Sequence, residues 1–360
     1  MSFGTKKHLI IHDYFENFGG GERLIQVLYK TNVFDLIYGF DKDNLIRKIN
    51  LHKNSLNLNK KTIPAFIKKT LLKKNFENLN IKKEYETCII SGNYSVFSKT
   101  ENFKKKIFYC HSLPKLFFEF NKFYKKNNII KKLIYITLKK KFIKEYYNQL
   151  KLMDLILCNS LNIKKKIKKF TKLNAKIIYP PIEVQKFKWI SQKKYFVSNN
   201  RHVPEKNIDK IIAVFKNFPN YKVYITSTGH QTNYLKKLSK NFKNIIFTGF
   251  LNEKKYSKLI GNCTATINIS SNEDFGMAAL EGLAAGKPAI VTNEGGYLET
   301  IKENYNGFFF NKKNLIRELT FFLKNIDFKK LDLMKKQCQK SVEKYSCKNF
   351  VTNIKQLIKV

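Results

Sequence analysis

The sequence predicts an α/β protein built as two doubly wound, Rossmann-like domains, and three observations lead there. Short apolar runs of strand length alternate with helical or basic stretches along the chain, the pattern of parallel sheets wrapped by helices. At 360 residues the chain exceeds what one ordinary core organises. Midway, the segment YPPIEV around Pro180 and Pro181 breaks the pattern, because neither a helix nor a central strand continues through a proline pair. A first domain is therefore expected over 1–180, a second over 181–345 and a terminal helix over 346–360.

In the first half, residues 7–12 form an apolar strand candidate, followed by the turn-rich FENFGGGERL and a helical run from Glu22 to about Lys30. Further strands are expected at Leu36–Phe40, Thr87–Ile90, Lys106–Tyr109 and Leu155–Cys158. Between them, Ile129–Leu150 places Ile134, Leu138, Phe142 and Tyr146 at steps of four with lysines interspersed, an amphipathic basic helix. The second half repeats the alternation, with strands at Tyr195–Ser198, Val223–Thr226, Ile245–Thr248, Ala265–Ser270 and Ala289–Thr292. The tail from Cys347 carries Phe350, Ile354 and Leu357 at helical spacing, and is expected to pack back on the first domain.

Composition removes several classes. A hydrophobic content of 43% with 14% aromatics is not that of a disordered chain, and no run approaches the 18 apolar residues of a membrane span. The N-terminal MSFGTKKHLIIHDYF reads as a first strand and not a signal peptide, since His12 and Asp13 interrupt its apolar stretch. Six cysteines without a CxxC pair read as buried thiols in a reducing cytoplasm. The net charge of +42 has two readings. Lysine together with Asn, Ile, Phe and Tyr is what an AT-rich genome favours at free surface sites. Yet residues 51–180 hold 31 Lys/Arg against 7 Asp/Glu, with clusters at Lys104–Lys106, Lys139–Lys141 and Lys164–Lys166 that attract anionic partners such as an acidic membrane surface.

Ligands of doubly wound sheets bind beyond the carboxyl ends of the strands, so the loops there carry the candidates, and a cleft between the two domains is the expected site. The densest signal is SNEDFGMAALEGLAAGKPAIVTNEGGYLET over 271–300. Glu273 lies on a loop after a strand, Phe275, Gly276 and Met277 open a helix, and Glu281 lies inside it. Backbone amides at a helix start attract phosphate, while carboxylates accept charge-assisted hydrogen bonds from hydroxyls. The pattern fits a sugar joined to a phosphate. Arg201 and Lys206, in NRHVPEK after the first strand of the second half, can add two cations suited to a diphosphate, although in so basic a chain a solvated loop reads the same way. Gly19-Gly20-Gly21-Glu22 is either a phosphate-approaching loop or a plain turn, being neither GxGxxG nor a Walker loop. His111 ends a strand, where it can donate to a sugar hydroxyl, shift a proton, or serve only the structure. Asp41-Lys42-Asp43 resembles a DxD metal motif but has no third ligand, and the six histidines have no ligand spacing, so no metal is expected.

Together these motifs resemble the retaining, family-4 glycosyltransferases of the GT-B fold, and among them the bacterial O-antigen, lipopolysaccharide and capsule mannosyltransferases. The likeness rests on the 270–296 segment, on Arg201 and Lys206, on Asp13 with Gly20-Gly21-Glu22-Arg23, on Cys110-His111-Ser112 and on the YPP joint. It implies a nucleotide-sugar donor, GDP-mannose, and a lipid-linked saccharide acceptor at the cytoplasmic face of the membrane. Glu281 would bind ribose hydroxyls and Glu273 sugar hydroxyls, with Phe275, Gly276 and Met277 facing the donor. Arg201 and Lys206 would stabilise the departing diphosphate in place of a metal, Gly20 and Gly21 would approach the donor, and the first domain, near Gly20 and His111, would meet the acceptor. The chain departs from the pattern at Asn200, where a glycine is usual, and at Lys115 and Phe118, where Arg and Trp are common. Two rival readings remain: a nucleic-acid-binding protein, which the charge suggests but no RRM, KH or zinc pattern supports, and a sugar-nucleotide epimerase of the same fold, whose acid–base pair has no visible candidate.

Overall fold

The computed structural model describes residues 4–16, 18–59, 68–119 and 129–358, the side chains of Lys69 and of 129–135 aside. The chain forms two compact units, Met1–Pro181 with the tail from Phe350, and Ile182–Asn349.

The first unit is a parallel sheet of β1 (His8–His12), β2 (Phe34–Tyr38), β3 (Ser55–Asn57), β4 (Tyr85–Ser91), β5 (Phe103–Cys110), β6 (Leu155–Cys158) and β7 (Lys176–Ile177), in the order β3-β2-β1-β4-β5-β6-β7. β1 is buried along its whole length, as a central strand covered on both faces must be. Its residues alternate: Leu9 and Ile11 join a cluster with Phe76, Phe108 and Tyr146, while Ile10 joins Leu24, Ile25, Tyr109 and Leu157 on the other face. The helix Cys347–Ile358 completes that second layer through Phe350, Ile354 and Ile358, and Lys105 Nζ donates to the Leu357 carbonyl at 2.6 Å. Ile358, not Leu357, is the third fully buried position: from Ile354 a step of four lands about 40° off the same face and a step of three about 60° off it.

The helix Ile129–Lys151 buries Phe142, Tyr146 and Leu150, but Leu138 is 57% exposed, against the expected stripe. A step of four residues turns the helix about 40° past a full circle, so Phe142, Tyr146 and Leu150 share about 80° of one face and Leu138 falls a further 40° off it. The Ile134 side chain lies outside the described residues. Phe118, where the likeness has Trp, is a core residue packed edge-on to Tyr146 with ring centroids 5.9 Å apart.

The second unit repeats the order. Its sheet contains β8 (Tyr195–Ser198), β9 (Lys222–Thr226), β10 (Ile245–Gly249), β11 (Ala265–Asn268), β12 (Ala289–Thr292) and β13 (Gly307–Phe310), arranged β10-β9-β8-β11-β12-β13 and parallel throughout. Helix starts are capped by side chains, Asn252 accepting from the Lys255 amide at 2.9 Å and Asp327 from those of Lys329 and Lys330. At the edge strand β13 the amide of Phe309 donates to Glu303 at 2.7 Å, and just beyond it the amide of Asn311 donates to Glu318 at 2.6 Å. β3, β7 and β13 are not among the strands expected from sequence. The first two are three and two residues long at sheet edges, and GFFF at β13 is too short for periodicity to separate strand from helix.

Among the described residues no helix is long and apolar enough to cross a membrane. The six cysteines are free, five of them buried and Cys347 partly exposed.

Candidate active site

In each sheet the strand order reverses beside its first strand, between β1 and β4 and between β8 and β11. Loops leaving such a pair diverge to opposite faces and open a crevice at the carboxyl end, where ligands of this architecture bind.

In the second unit the crevice is charged. β8 leads into Asn199, Asn200 and Arg201, then a short turn over Pro204–Lys206. β11 leads into Ser270, Ser271 and Glu273. The two loops are stitched together: the Ser271 amide donates to the Glu205 carbonyl at 2.7 Å, and Asn207 Nδ2 donates to the Ile269 carbonyl at 2.7 Å. Across this seam Lys206 Nζ meets Glu273 Oε2 at 2.5 Å, each side chain less than one-fifth exposed. Arg201 is exposed beside them. His202, its neighbour, is fully buried between Thr232 Oγ1 at 2.9 Å and the Thr226 carbonyl at 3.1 Å, a structural residue whose pKa burial lowers.

Gly276 caps the helix Met277–Ala284 in the left-handed region, at φ +91°. A Cβ there would come within 2.5 Å of the Tyr297 ring, so both conformation and space require glycine. The helix start leaves amides pointing outward. The Phe275 side chain, by contrast, is buried edge-on to Tyr345, at a centroid distance of 5.4 Å. Gly295 and Gly296 bring the next loop against the same segment, the Gly296 amide donating to the Glu273 carbonyl at 2.9 Å. Tyr297 reaches Ser270 Oγ at 3.2 Å and Glu273 Oε2 at 3.5 Å, and burial, with the Glu273 charge, raises its pKa far above the ordinary tyrosine value.

Glu281 is 4% exposed, one turn into the helix. Its Oε2 accepts from Asn199 Nδ2 at 3.0 Å and from the Tyr256 hydroxyl. Asn199 is itself oriented, donating to the Ala278 carbonyl at 2.9 Å and accepting from Asn268 Nδ2 at 2.8 Å. A buried carboxylate persists only where donors of this kind surround it. Asn199, Tyr256, Asn268 and Tyr297 were not singled out in the sequence. Asn199 alone left a signal there, as a polar residue directly after a strand.

The first unit differs. Helix Gly20–Tyr29 is opened by Gly19, whose amide donates to Glu22 Oε2 at 3.0 Å, so Glu22 reaches back to the cap residue and holds a carboxylate at the helix start. Asp13 is buried and accepts from the amides of Asn93 at 2.7 Å, Tyr94 at 3.0 Å and Ser95 at 2.6 Å, which fixes the loop after β4. Burial lifts its pKa to about 6 although those amides oppose the rise. His111 follows β5 and is partly buried, its Nε2 lying 2.8 Å from Ser91 Oγ. Gly21 lies beside its ring, 3.7 Å from where a Cβ would stand. Burial and the nearby His12 push the His111 pKa down to about 3, and burial takes His12 to about 4. Both imidazoles are neutral at physiological pH, which removes the cationic histidine from the candidate roles. Asp41 accepts the Ile46 amide at 3.2 Å and so caps a turn. Among the described residues no three His, Cys, Asp or Glu side chains are grouped to hold a metal.

Gly20, Gly21 and His111 thus belong to the first unit. Arg201, Lys206, Glu273, Phe275, Gly276, Met277 and Glu281 gather in the second.

Residues 181–341 match the family model described as Glycosyl transferases group 1. The α-1,3/1,6-mannosyltransferase ALG2 of Dictyostelium discoideum is 26% identical over 321 residues, covering 75% of this chain and 73% of that protein. Among solved structures, Anabaena HepE in complex with UDP-glucose superposes with a TM-score of 0.72 at 12% identity, covering 98% of this chain and 99% of that one. Sucrose-phosphate synthase from Thermosynechococcus elongatus gives a TM-score of 0.77 at 13% identity, covering 98% of each chain. At such identities the structural likeness speaks for the fold, two Rossmann-like units of the GT-B type. The protein is a glycosyltransferase whose second unit carries a group 1 glycosyltransferase domain.

Proposed function

We propose that the protein transfers mannose from GDP-mannose to a lipid-linked saccharide, with retention of the anomeric configuration, in the manner of the family-4 enzymes that build bacterial O-antigen, lipopolysaccharide and capsule. The observation that carries this is the cluster at the β8–β11 switch point: the Lys206–Glu273 pair at 2.5 Å beside a helix start, with the buried Glu281 one turn along. Glu281 takes the ribose hydroxyls, and the donors from Asn199 and Tyr256 keep it in place. Glu273 accepts from sugar hydroxyls. Lys206 and Arg201, with the amides from Gly276 onward, stabilise charge developing on the diphosphate, and no metal is needed for that step. The departing phosphate takes the acceptor's proton in a front-face attack, so neither glutamate acts as a nucleophile.

Mannose is favoured by the ALG2 relatives, which are named for mannosyl transfer. The acceptor meets the first unit around Gly20, Gly21 and His111. There the neutral His111 suits hydrogen bonding to a hydroxyl better than proton transfer. The lysine surplus of that unit holds the protein on the anionic inner leaflet, each lysine near the surface contributing about 1 kcal/mol.

A thermal-shift panel of nucleotide sugars tests the donor, because a specific ligand stabilises by mass action. GDP-mannose is expected to raise the melting temperature more than UDP-glucose. A larger shift with UDP-glucose overturns the choice of donor, and a shift with DNA alone overturns the function. Sedimentation with anionic and neutral vesicles tests the membrane contact, which equal binding to both refutes.

A further inference from the structure

The first unit holds a short polar chain of which the function proposed above uses only the last member: His12, Ser91 and His111, from the ends of β1 and β4 and the residue after β5. His12 is 5% exposed and Ser91 is fully buried. His12 Nδ1 lies 2.9 Å from the Ser91 carbonyl and 3.2 Å from Ser91 Oγ. Ser91 Oγ lies 2.8 Å from His111 Nε2.

The protons on this chain follow from donor and acceptor counting. A carbonyl oxygen only accepts, and of the two backbone partners of His12, Ser91 and Tyr14, the Ser91 carbonyl is the one at hydrogen-bond geometry, so the neutral ring keeps its hydrogen on Nδ1 and donates to Ser91. The Ser91 hydroxyl therefore cannot donate to His12. It has one remaining acceptor, His111 Nε2, and a buried hydroxyl spends its hydrogen where an acceptor exists. His111 Nε2 is then unprotonated. A neutral imidazole with a bare Nε2 carries its hydrogen on Nδ1, and Nδ1 takes no hydrogen bond from the described residues.

We infer that Ser91 is a positioning residue: its hydroxyl, oriented by His12, locks His111 as the Nδ1–H tautomer, which makes His111 a fixed hydrogen-bond donor to a ligand oxygen and denies it a role as general base through Nε2. The backbone completes the restraint, since Asn159 Nδ2 donates to the His111 carbonyl at 2.8 Å. That the ligand oxygen belongs to the saccharide rests on the function proposed above; the tautomer does not.

Nitrogen NMR of the full chain labelled at histidine tests this, with the His111 resonance identified by its loss in His111→Asn. The wild-type protein is expected to show His111 neutral with a protonated Nδ1 at pH 7. A protonated Nε2 or a charged ring there overturns the proposal. In Ser91→Ala the Nδ1–H signature is expected to give way to a mixture, with kcat/KM falling roughly fivefold to tenfold, the size of one neutral hydrogen bond. Ser91→Thr, which returns the hydroxyl, is expected to recover both. An unchanged tautomer in Ser91→Ala overturns the lock. A changed tautomer with unchanged transfer overturns the positioning role while leaving the donor site of the second unit standing.

Discussion

The two units share one strand order and yet furnish its reversal point in opposite ways. At the β1–β4 crevice the carboxylate of Asp13 is spent on three backbone amides and the histidines are neutral. At the β8–β11 crevice an ammonium and a carboxylate face each other, a second carboxylate is held by side-chain donors, and a helix start lies alongside. The first arrangement fixes a loop and offers uncharged hydrogen bonds, which suits an acceptor with many hydroxyls. The second offers charge of both signs, which suits a ligand carrying a diphosphate and hydroxyls together. One framework accommodates both because the loops beyond the strand ends, and not the sheet, carry the chemistry.

The contrast can be broken most sharply at Lys206. Lys206→Ala is expected to lower kcat by about 10²- to 10³-fold, as removal of one preorganised charge-stabilising donor does, with the circular dichroism spectrum unchanged. Activity within a factor of two of wild type would return Lys206 to the surface loops. In the first unit the comparable change, Asp13→Ala, is expected to act on stability. Leaving three buried or half-buried amides without their acceptor should cost roughly 3 kcal/mol in urea unfolding. Loss of activity without loss of stability would move Asp13 from scaffold to site.

Acid should also separate the units. His8, His12 and His111 have pKa values lowered on folding, so the unfolded chain binds their protons first and stability falls as pH drops from about 6.5 towards 4. Asp13 works against this over its own window, because its raised pKa makes the folded state take up a proton between about 4 and 6. Three histidines outweigh one carboxyl, for a net loss on the order of 1 kcal/mol or more per pH unit. In the second unit the histidine with a lowered pKa is His202. Hydrogen exchange at pH 5 is therefore expected to deprotect β1, β4 and β5 before β8 and β11; simultaneous loss would contradict it. The smallest effect should come from Tyr256→Phe, which removes one donor to Glu281 and is expected to raise the donor KM about fivefold with kcat nearly unchanged.

Much of this molecule was legible in its sequence where chemistry and periodicity coincide. The central strands are continuous apolar runs, and Glu273, Gly276 and Glu281 stand out because scarce acids and a glycine bracket the start of a small-residue helix. What stayed hidden depends on distance through space. Lys206 and Glu273 are separated by 67 residues, and no local pattern shows that they neutralise each other at 2.5 Å. Tyr256 and Asn268 look like ordinary helix and strand residues until the fold brings them towards Glu281 and Asn199. The Leu138 side chain was misplaced because a spacing rule was extended beyond the turns over which helical drift leaves it valid. Glu22 presents the reverse case: a residue in a site-like glycine motif that the structure employs as a cap.

The two glutamates along β13 have a consequence outside catalysis. An edge strand normally offers its outward amides to any extended peptide, and β13, with three consecutive phenylalanines, would be an adhesive one. Glu303 and Glu318 satisfy the outward amides at Phe309 and Asn311 from within the same chain. They also place negative charge where an incoming strand would have to lie. That edge of the second sheet thereby presents carboxylates, and not free amides, to an extended neighbour at these two positions.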